Sequence, residues 1–440
     1  MNHFIQKTFQ LKDPNITIDM DRVEEQHYKG RLSLFYFGTL TYVPKACECC
    51  GIVNDAYQVV KNGTRHSRLT LASITGLPAY LNLAKQRFKC KTCGQSFTAK
   101  TSFVDPHCFI SKRVTQMIMD RATRVMSEVD IAKDTHVSPN TVRRVIHQAA
   151  AALRIRPTSS LPEHLCFDEF KSVKSVKAAM SFIYCDAINH QVVDVVEDRK
   201  AGSLKNYFIR YDLAVRRQVK SVTIDMYEPY IQVIHRWFPN ADIIMDPFHL
   251  IQALNRELSQ YRVQFMNTIR TKDRRLYNKL KRYWKLIQKN PNDLKATTYH
   301  RFPLFDWLTN TQGIVDYLLA QDTQLKATYQ IVHQLGDAYR TNNWPRFEST
   351  LIQAKQLQLP AGLRRVLRSF KKYQTYIHNT FSYPGLTNGP IEGINNKIKV
   401  LKRTAYGYRN YSHFRDRILL MTRLYVPQTN KKDQATTYAA

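Results

Sequence analysis

The stretch Leu165-Cys166-Phe167-Asp168-Glu169-Phe170 decides how this chain folds. It is a short apolar run interrupted by two acids, and it reads as a strand. Downstream, Met180 to Ala187 and Gln191 to Glu197 read as two more strands, with Asp186 to His190 as the hairpin turn between them. A helix is expected from about Ser203 to Leu213, then a strand from Val219 to Ile224 that ends at Asp225. A helix over 227–237 follows, then a strand from Asp242 to Met245 that ends at Asp246, then a helix from about Phe248.

The order βββαβαβα, three meandering strands followed by βα units, is that of a ribonuclease H-like α/β domain. In such a sheet the first and fourth strands lie side by side. Asp168 on one and Asp225 at the end of the other then face a common cleft. A third acid emerges from charge arithmetic: Ser349 to Arg415 holds 12 Lys or Arg and a single carboxylate, Glu392. Thr387-Asn388-Gly389-Pro390 starts its helix. The spacing puts Ile391, Ile394, Ile398 and Leu401 on the buried side, and Glu392, Asn395, Asn396, Lys399 and Arg403 on the other. A carboxylate beside cations suits a metal site that also holds phosphates. Three hard carboxylate ligands with open positions suit Mg²⁺ or Mn²⁺. Two such ions roughly 3.5–4 Å apart activate a nucleophile and stabilise the leaving oxygen in phosphodiester chemistry. Glu169 and Glu228 are near competitors for these roles.

Upstream, Arg156 to Pro162 is a polar linker bounded by two prolines. Before it lies a helix-turn-helix pattern. Ser127 caps a short helix to Asp134 with Ile131 and Ala132 inward, His136 and Val137 turn, and Ser138-Pro139 start the next helix. Val142, Val145, Ile146 and Ala149 line its inner face; Asn140, Arg143, Arg144 and His147 line the outer. No acid occurs from Thr135 to Pro162. A capped basic helix after a tight turn suits the DNA major groove, and Asn140, Arg143 and Arg144 are the candidate contacts.

Further upstream, Cys47-Glu48-Cys49-Cys50-Gly51 and Cys90-Lys91-Thr92-Cys93-Gly94 are two CxxCG knuckles. Four thiolates from Cys47, Cys50, Cys90 and Cys93 make a closed tetrahedral set for structural Zn²⁺. Cys49 could replace Cys47, though only Cys47 keeps the two-residue gap. Lys85, Arg87, Lys89 and Lys91 surround the second knuckle, so this module too is suited to DNA.

Composition agrees. At roughly 150 residues per domain, 440 residues suggest about three domains. Lys plus Arg is 66 against 35 Asp plus Glu, a net charge of +31 that excludes an ordinary metabolic enzyme as the default and points to a polyanionic partner. Apolar residues at 43% exclude a disordered chain. The most apolar run, Leu69 to Ala84, is too broken to span a bilayer, so no membrane partner is expected, and the N-terminus shows no signal peptide. Five of the eight cysteines sit in two tight clusters, a metal pattern in a reducing compartment. The expected location is therefore cytoplasmic, in association with nucleic acid.

The whole is read as a multidomain α+β chain. A zinc-binding module occupies 1–104 and a helix-turn-helix domain 105–156. The catalytic domain takes 163–255 and 376–426, interrupted by a helical insertion at 256–375, and a polar tail covers 427–440. Arg256 to Lys289 within the insertion carries 11 basic and two acidic residues, an excess that repels itself without a polyanion.

Over roughly Phe4 to Leu424 the chain resembles a DDE transposase of bacterial insertion sequences, of the ISL-three group. The resemblance rests on the paired knuckles, Gln86-Arg87-Phe88-Lys89-Cys90, the helix-turn-helix, FDEF around Asp168, IDMYEPY around Asp225, DPFH at Asp246 to His249, and NGPIEGINNKIKVLKRTAYGYRN around Glu392. The first knuckle departs from the group's usual Cys-Pro-x-Cys-Gly. The resemblance implies that Asp168, Asp225 and Glu392 are the catalytic triad and hold the Mg²⁺, with Asp246 and His249 supporting them and Lys399 and Arg403 on DNA. It implies binding to terminal inverted repeats, hydrolysis at the element end, and attack of the freed 3′-hydroxyl on target DNA, with a homodimer on paired ends. Rival readings are a non-catalytic DNA-binding regulator with a decayed nuclease fold, and a structure-specific nuclease without strand transfer.

Overall fold

The computed structural model describes residues 7–154 and 156–426; the expected tail at 427–440 lies outside them. The chain divides into two compact units. One holds the chain up to Arg156, the short piece Val173–Ser175, and Lys397–Thr422; the other holds Pro157–Ser172, Val176–Asn396 and the chain from Arg423.

The first unit opens with five strands: β1 (Ile16–Tyr28), β2 (Arg31–Leu40), β3 (Val59–Ile74), β4 (Leu77–Cys90) and β5 (Ser96–Thr98). They form one sheet in the order β1-β2-β4-β3, with β5 on β4. Two hairpins build it, each closed by a two-residue loop with both residues at positive φ: Lys29-Gly30 (52° and 76°) and Thr75-Gly76 (48° and 82°). That geometry matches the right-handed strand twist, and glycine in the second position adopts it without a Cβ clash. Leu69, Leu71, Leu81, Leu83 and Phe88 form the core beneath.

Three helices follow: Lys112–Ala122, Glu128–Asp134 and Pro139–Arg154. Ser127 caps the second by accepting from the Asp130 amide, and His136 turns the chain at φ 54°. Val142, Val145 and Ile146 are buried on the third helix, as the spacing predicted. The fourth buried position is Ala150, with Ala149 half-buried beside it, since positions i+7 and i+8 from Val142 lie on the same apolar stripe. Helix Tyr411–Met421 packs on this bundle. Its fully buried Arg417 donates to the Arg124 and Met126 carbonyls at 3.1 and 2.9 Å, and its Asp416 accepts from Arg154 Nε at 2.8 Å.

The second unit contains β6 (His164–Lys171), β7 (Met180–Asp186), β8 (Val192–Val196), β9 (Ser221–Ile224) and β10 (Asp242–Met245) in the order β10-β9-β6-β7-β8. The meander β6-β7-β8 is antiparallel, while β9 and β10 run parallel to β6. The helix expected over 203–213 is two helices, Ala201–Phe208 and Leu213–Arg217. The chain breaks between them because Tyr211 turns inward to bond Tyr184 Oη at 2.9 Å, and Asp212 starts the second helix.

Helix Pro247–Thr268 runs through position 255 without interruption. The region from 251 to 375 is not wholly helical: a 3₁₀ turn at Pro291–Asp293 and a small hairpin, His300–Arg301 with Leu308–Thr309, interrupt it. Lys279 is buried against that hairpin, its ammonium 4.4, 5.2 and 4.2 Å from the rings of Phe305, Trp307 and Tyr317. Beyond that region come two more helices, Gly389–Thr404 and Tyr411–Met421, parted by a turn with Tyr406 and Gly407 at positive φ.

Candidate active site

Strand register brings three acids level. Cys166 pairs with Thr223, so Asp168 stands two positions on in β6 just as Asp225 does in β9. Met245 pairs with Ile224, so Asp246 directly follows β10 as Asp225 follows β9. Three parallel neighbours thus present carboxylates at one level, directly after β9 and β10 and within β6 where its pairing to β9 has ended.

The side chains are connected. His249, in the first turn of helix Pro247–Thr268, holds Asp225 Oδ2 through Nε2 at 2.8 Å. The Asp225 carboxylate in turn lifts the imidazole to about 9, so it is an imidazolium. A carboxylate oxygen each from Asp225 and Asp246 and a ring nitrogen of His249 lie within 4.8 Å of one another. Burial, with the Asp225 charge adding to it, pushes the Asp168 carboxyl up to about 7, and burial raises Asp246 as well.

Two asparagines that the sequence reading had not given a catalytic-site role join the Glu392 helix to these acids. Asn388 donates its backbone N–H to Asp246 Oδ1 at 3.0 Å and its side chain to Asp225 Oδ1 at 3.4 Å and the Phe167 carbonyl at 3.1 Å. Asn395 donates to Asp168 Oδ2 at 2.7 Å and to the Glu169 carbonyl at 3.3 Å. Asn395, on the face that the spacing sets opposite the apolar one, is buried; Ile394, expected on the buried side, is half-buried. Glu392 is exposed and lies on the same helical stripe, between the two asparagines. It does not belong to the cluster of ligand atoms around Asp225, and neither does Asp168. The near competitors are committed elsewhere: Glu169 to Arg199 and, at 2.8 Å, to Tyr230; Glu228 to Lys372 at 2.8 Å and Tyr373 at 2.6 Å.

The donor set fits a hard cation. Besides the carboxylates, the side-chain oxygens of Asn388 and Asn395 are buried and have no hydrogen-bond partner among the described residues. Carboxylate and amide oxygens together are magnesium or calcium chemistry.

In the first unit the four knuckle cysteines gather. Cys47 Sγ and Cys93 Sγ are 3.8 Å apart, as are Cys50 Sγ and Cys90 Sγ. Tetrahedral bonds of ~2.3 Å to zinc separate sulfurs by ~3.8 Å. The two loops are built alike: Gly51 and Gly94, at φ 75° and 72°, each return an amide to the carbonyl of the first cysteine at 2.9 and 3.0 Å. Loop amides lower the Cys47 and Cys90 thiols, Cys90 to about 6, which favours the thiolate that binds metal. Cys49 is exposed and outside the cluster; its amide donates to Cys47 Sγ at 3.3 Å. On the third helix of the first unit, Asn140, Arg143 and Arg144 are exposed, and Arg143 is held by Glu128 at 3.1 Å. Lys399 and Arg403 are exposed as well.

Comparison with known proteins speaks to the same chemistry. A family described as Transposase matches residues 165–418, more than half of the chain. The helix-turn-helix domain of transposase family ISL3 matches 99–150. The chain belongs to the ISL3 transposase family. It is 25% identical over 402 residues to the transposase for insertion sequence element IS1001 of Bordetella parapertussis, covering 90% of this chain and 93% of that one. It is also 31% identical over 191 residues to a protein named ATP-dependent protease in Lactococcus lactis subsp. lactis, 43% of this chain and 56% of that protein. Among the described residues no helix is long and apolar enough to cross a membrane.

Proposed function

We propose that this transposase binds the terminal inverted repeats of its own insertion sequence and carries out metal-dependent strand cleavage followed by strand transfer, with a homodimer holding paired ends. The observation that carries the reading is the level register of Asp168, Asp225 and Asp246 on three parallel strands, with the Glu392 helix bonded to them through Asn388 and Asn395. The sheet of β6 to β10 is read as the core of a ribonuclease H-like domain that takes 163–255 and 376–426 with 256–375 inserted, behind a zinc module to 104 and a helix-turn-helix domain over 105–156.

Asp168, Asp225 and Glu392 are the proposed magnesium ligands. The metal would supply activation of water and neutralisation of charge on the leaving oxygen. The chain's own groups do the rest. His249 and Asn388 orient Asp225, Asn395 orients Asp168, and the orphan amide oxygens add acceptors. Arg144 and Asn140 approach the DNA bases, and Lys399 and Arg403 its phosphates.

The test is cleavage of a linear duplex carrying an element end, with Mg²⁺ or Mn²⁺, beside a binding titration. Asp168→Asn, Asp225→Asn and Glu392→Gln should each abolish nicking about as completely as the triple variant, since ligands of one site act as a unit. Binding should persist. Near-normal cleavage by Glu392→Gln would move the third ligand elsewhere, with Asp246 the first alternative.

A further inference from the structure

Helix Trp344–Gln353, the 3₁₀ turn Ala354–Gln356 and helix Ala361–Lys372 border a cavity of about 650 Å³ in the second unit. None of the site residues named above lines it. Its floor is apolar: Leu351 and Leu367 are half-buried there, and Ile352 beside them is 57% exposed. Its rim is cationic, from Lys355, Arg364, Arg368 and Lys371. The last three fall at i, i+4 and i+7 of one helix and so share a face.

The cavity has almost no negative charge of its own. Glu348 is the single acid in the lining, and it accepts from Gln374 Nε2 at 2.7 Å. Glu228, farther along, is taken by Lys372. None of the four rim cations has a carboxylate partner among the described residues. The positive charge of Lys371, which lines the same cavity, holds Lys355 below the ordinary lysine range. Four cations lining one hollow make a site that an anion completes.

We propose that this cavity receives a nucleotide of DNA displaced from its duplex, with the base against the apolar floor and the phosphates on the four cations. The volume falls within the usual ~300–1,000 Å³ of small-molecule pockets. The two halves of the lining match the two halves of a nucleotide. Duplex phosphates alone would need the rim but not the floor. Apolar side chains are a known bed for a base taken out of the stack. The inference rests on the reading of the chain as a DNA-cleaving enzyme and adds a contact outside the carboxylate site.

The experiment uses the full chain, without added magnesium, and duplexes carrying 2-aminopurine either paired or as a single unpaired nucleotide. The unpaired duplex should bind on the order of tenfold more tightly than the paired one, the scale of one base contact, with a saturable fluorescence change. Charge reversal at two rim positions, Arg364→Glu with Lys371→Glu, should bring that ratio to about one. Ile352→Ser, at an exposed floor position that does not hold the fold, should lower the ratio severalfold with affinity for the paired duplex unchanged. Equal binding of both duplexes by the wild type would overturn the proposal, as would a double variant that keeps the preference. A free nucleoside monophosphate that binds while DNA gives no signal would also overturn it, by assigning the cavity to free nucleotides. Magnesium-dependent nicking of fully paired element ends is measured in parallel: its loss in the wild type counts against the carboxylate site, whereas base capture stands or falls without metal.

Discussion

Asn395 offers the sharpest test of how the third acid reaches the site. It is 4% exposed and bonds Asp168 Oδ2 at 2.7 Å and the Glu169 carbonyl at 3.3 Å. Asn395→Ala deletes both. A hydrogen bond to a charged group is worth ~1.5–3 kcal/mol, and the longer carbonyl contact adds ~0.5. Alanine returns ~0.6 kcal/mol of helix propensity. The net loss is then ~1.5–3 kcal/mol, read as a lower urea midpoint at unchanged slope. Cleavage should fall by at least tenfold, because the bond that sets Asp168 against the Glu392 helix is gone. Asn395→Asp keeps the shape but sets a second carboxylate against Asp168, so cleavage should fall further while DNA binding holds. Asn396→Ala, one residue on and exposed, is the control and should change neither. If Asn395→Ala cleaves at the wild-type rate with an unmoved midpoint, the helix is not held by this bond and the geometric argument for Glu392 fails.

Other predictions are independent of that one. Purified protein should carry close to one zinc; Cys50→Ser should lose it and unfold the β1–β5 module, whereas Cys49→Ser should keep it, as metal analysis with far-ultraviolet circular dichroism would show. Arg144→Ala should weaken element-end binding by ~1–3 kcal/mol if it reads a base, and by more than Arg143→Ala, because Glu128 already holds Arg143 at 3.1 Å; equal losses in a titration would contradict this ordering. Lys279→Met keeps the volume inside the Phe305, Trp307 and Tyr317 box but removes the charge, and should cost ~2 kcal/mol in the unfolding midpoint, the scale of a desolvated cation–π contact.

The strands were legible because their apolar runs are short and each of the two parallel βα strands ends in an acid. The knuckles were legible because CxxCG fixes both ligand spacing and turn. The errors have a common source: periodicity reports polarity, not exposure. Asn388, Asn395 and Glu392 share one polar stripe, and a polar stripe reads as solvent-facing, yet its two asparagines are buried because acids from distant strands stand opposite. A signal was present in the seven-residue spacing of the asparagines around Glu392, two helical turns with one polar group each. The break between Phe208 and Leu213 was hidden because Tyr211 is apolar enough to continue a helical stripe, and only its hydroxyl's bond to Tyr184 reveals the turn inward. The hairpin of His300–Arg301 and Leu308–Thr309 has strands of two residues, below any period, and is packed against a lysine rather than against an apolar stripe.

The electrostatics of the carboxylate site lead to one further step. Three acids level on adjacent strands repel one another, and burial raises the cost of charging Asp168 and Asp246. The chain offsets part of this with donors: the His249 imidazolium on Asp225, the Asn388 amide on Asp246, and the Asn395 side chain on Asp168. A site built only for stability would stop there, or replace an acid. The same two asparagines also have side-chain oxygens that are buried and have no hydrogen-bond partner among the described residues. An unmet buried acceptor costs ~1–3 kcal/mol. A hydrogen-bond donor could satisfy one such oxygen, but a divalent cation would relieve both the orphaned oxygens and the crowded carboxylates at once. The grouping of these acids and amide oxygens supports the reading that a hard cation binds among them.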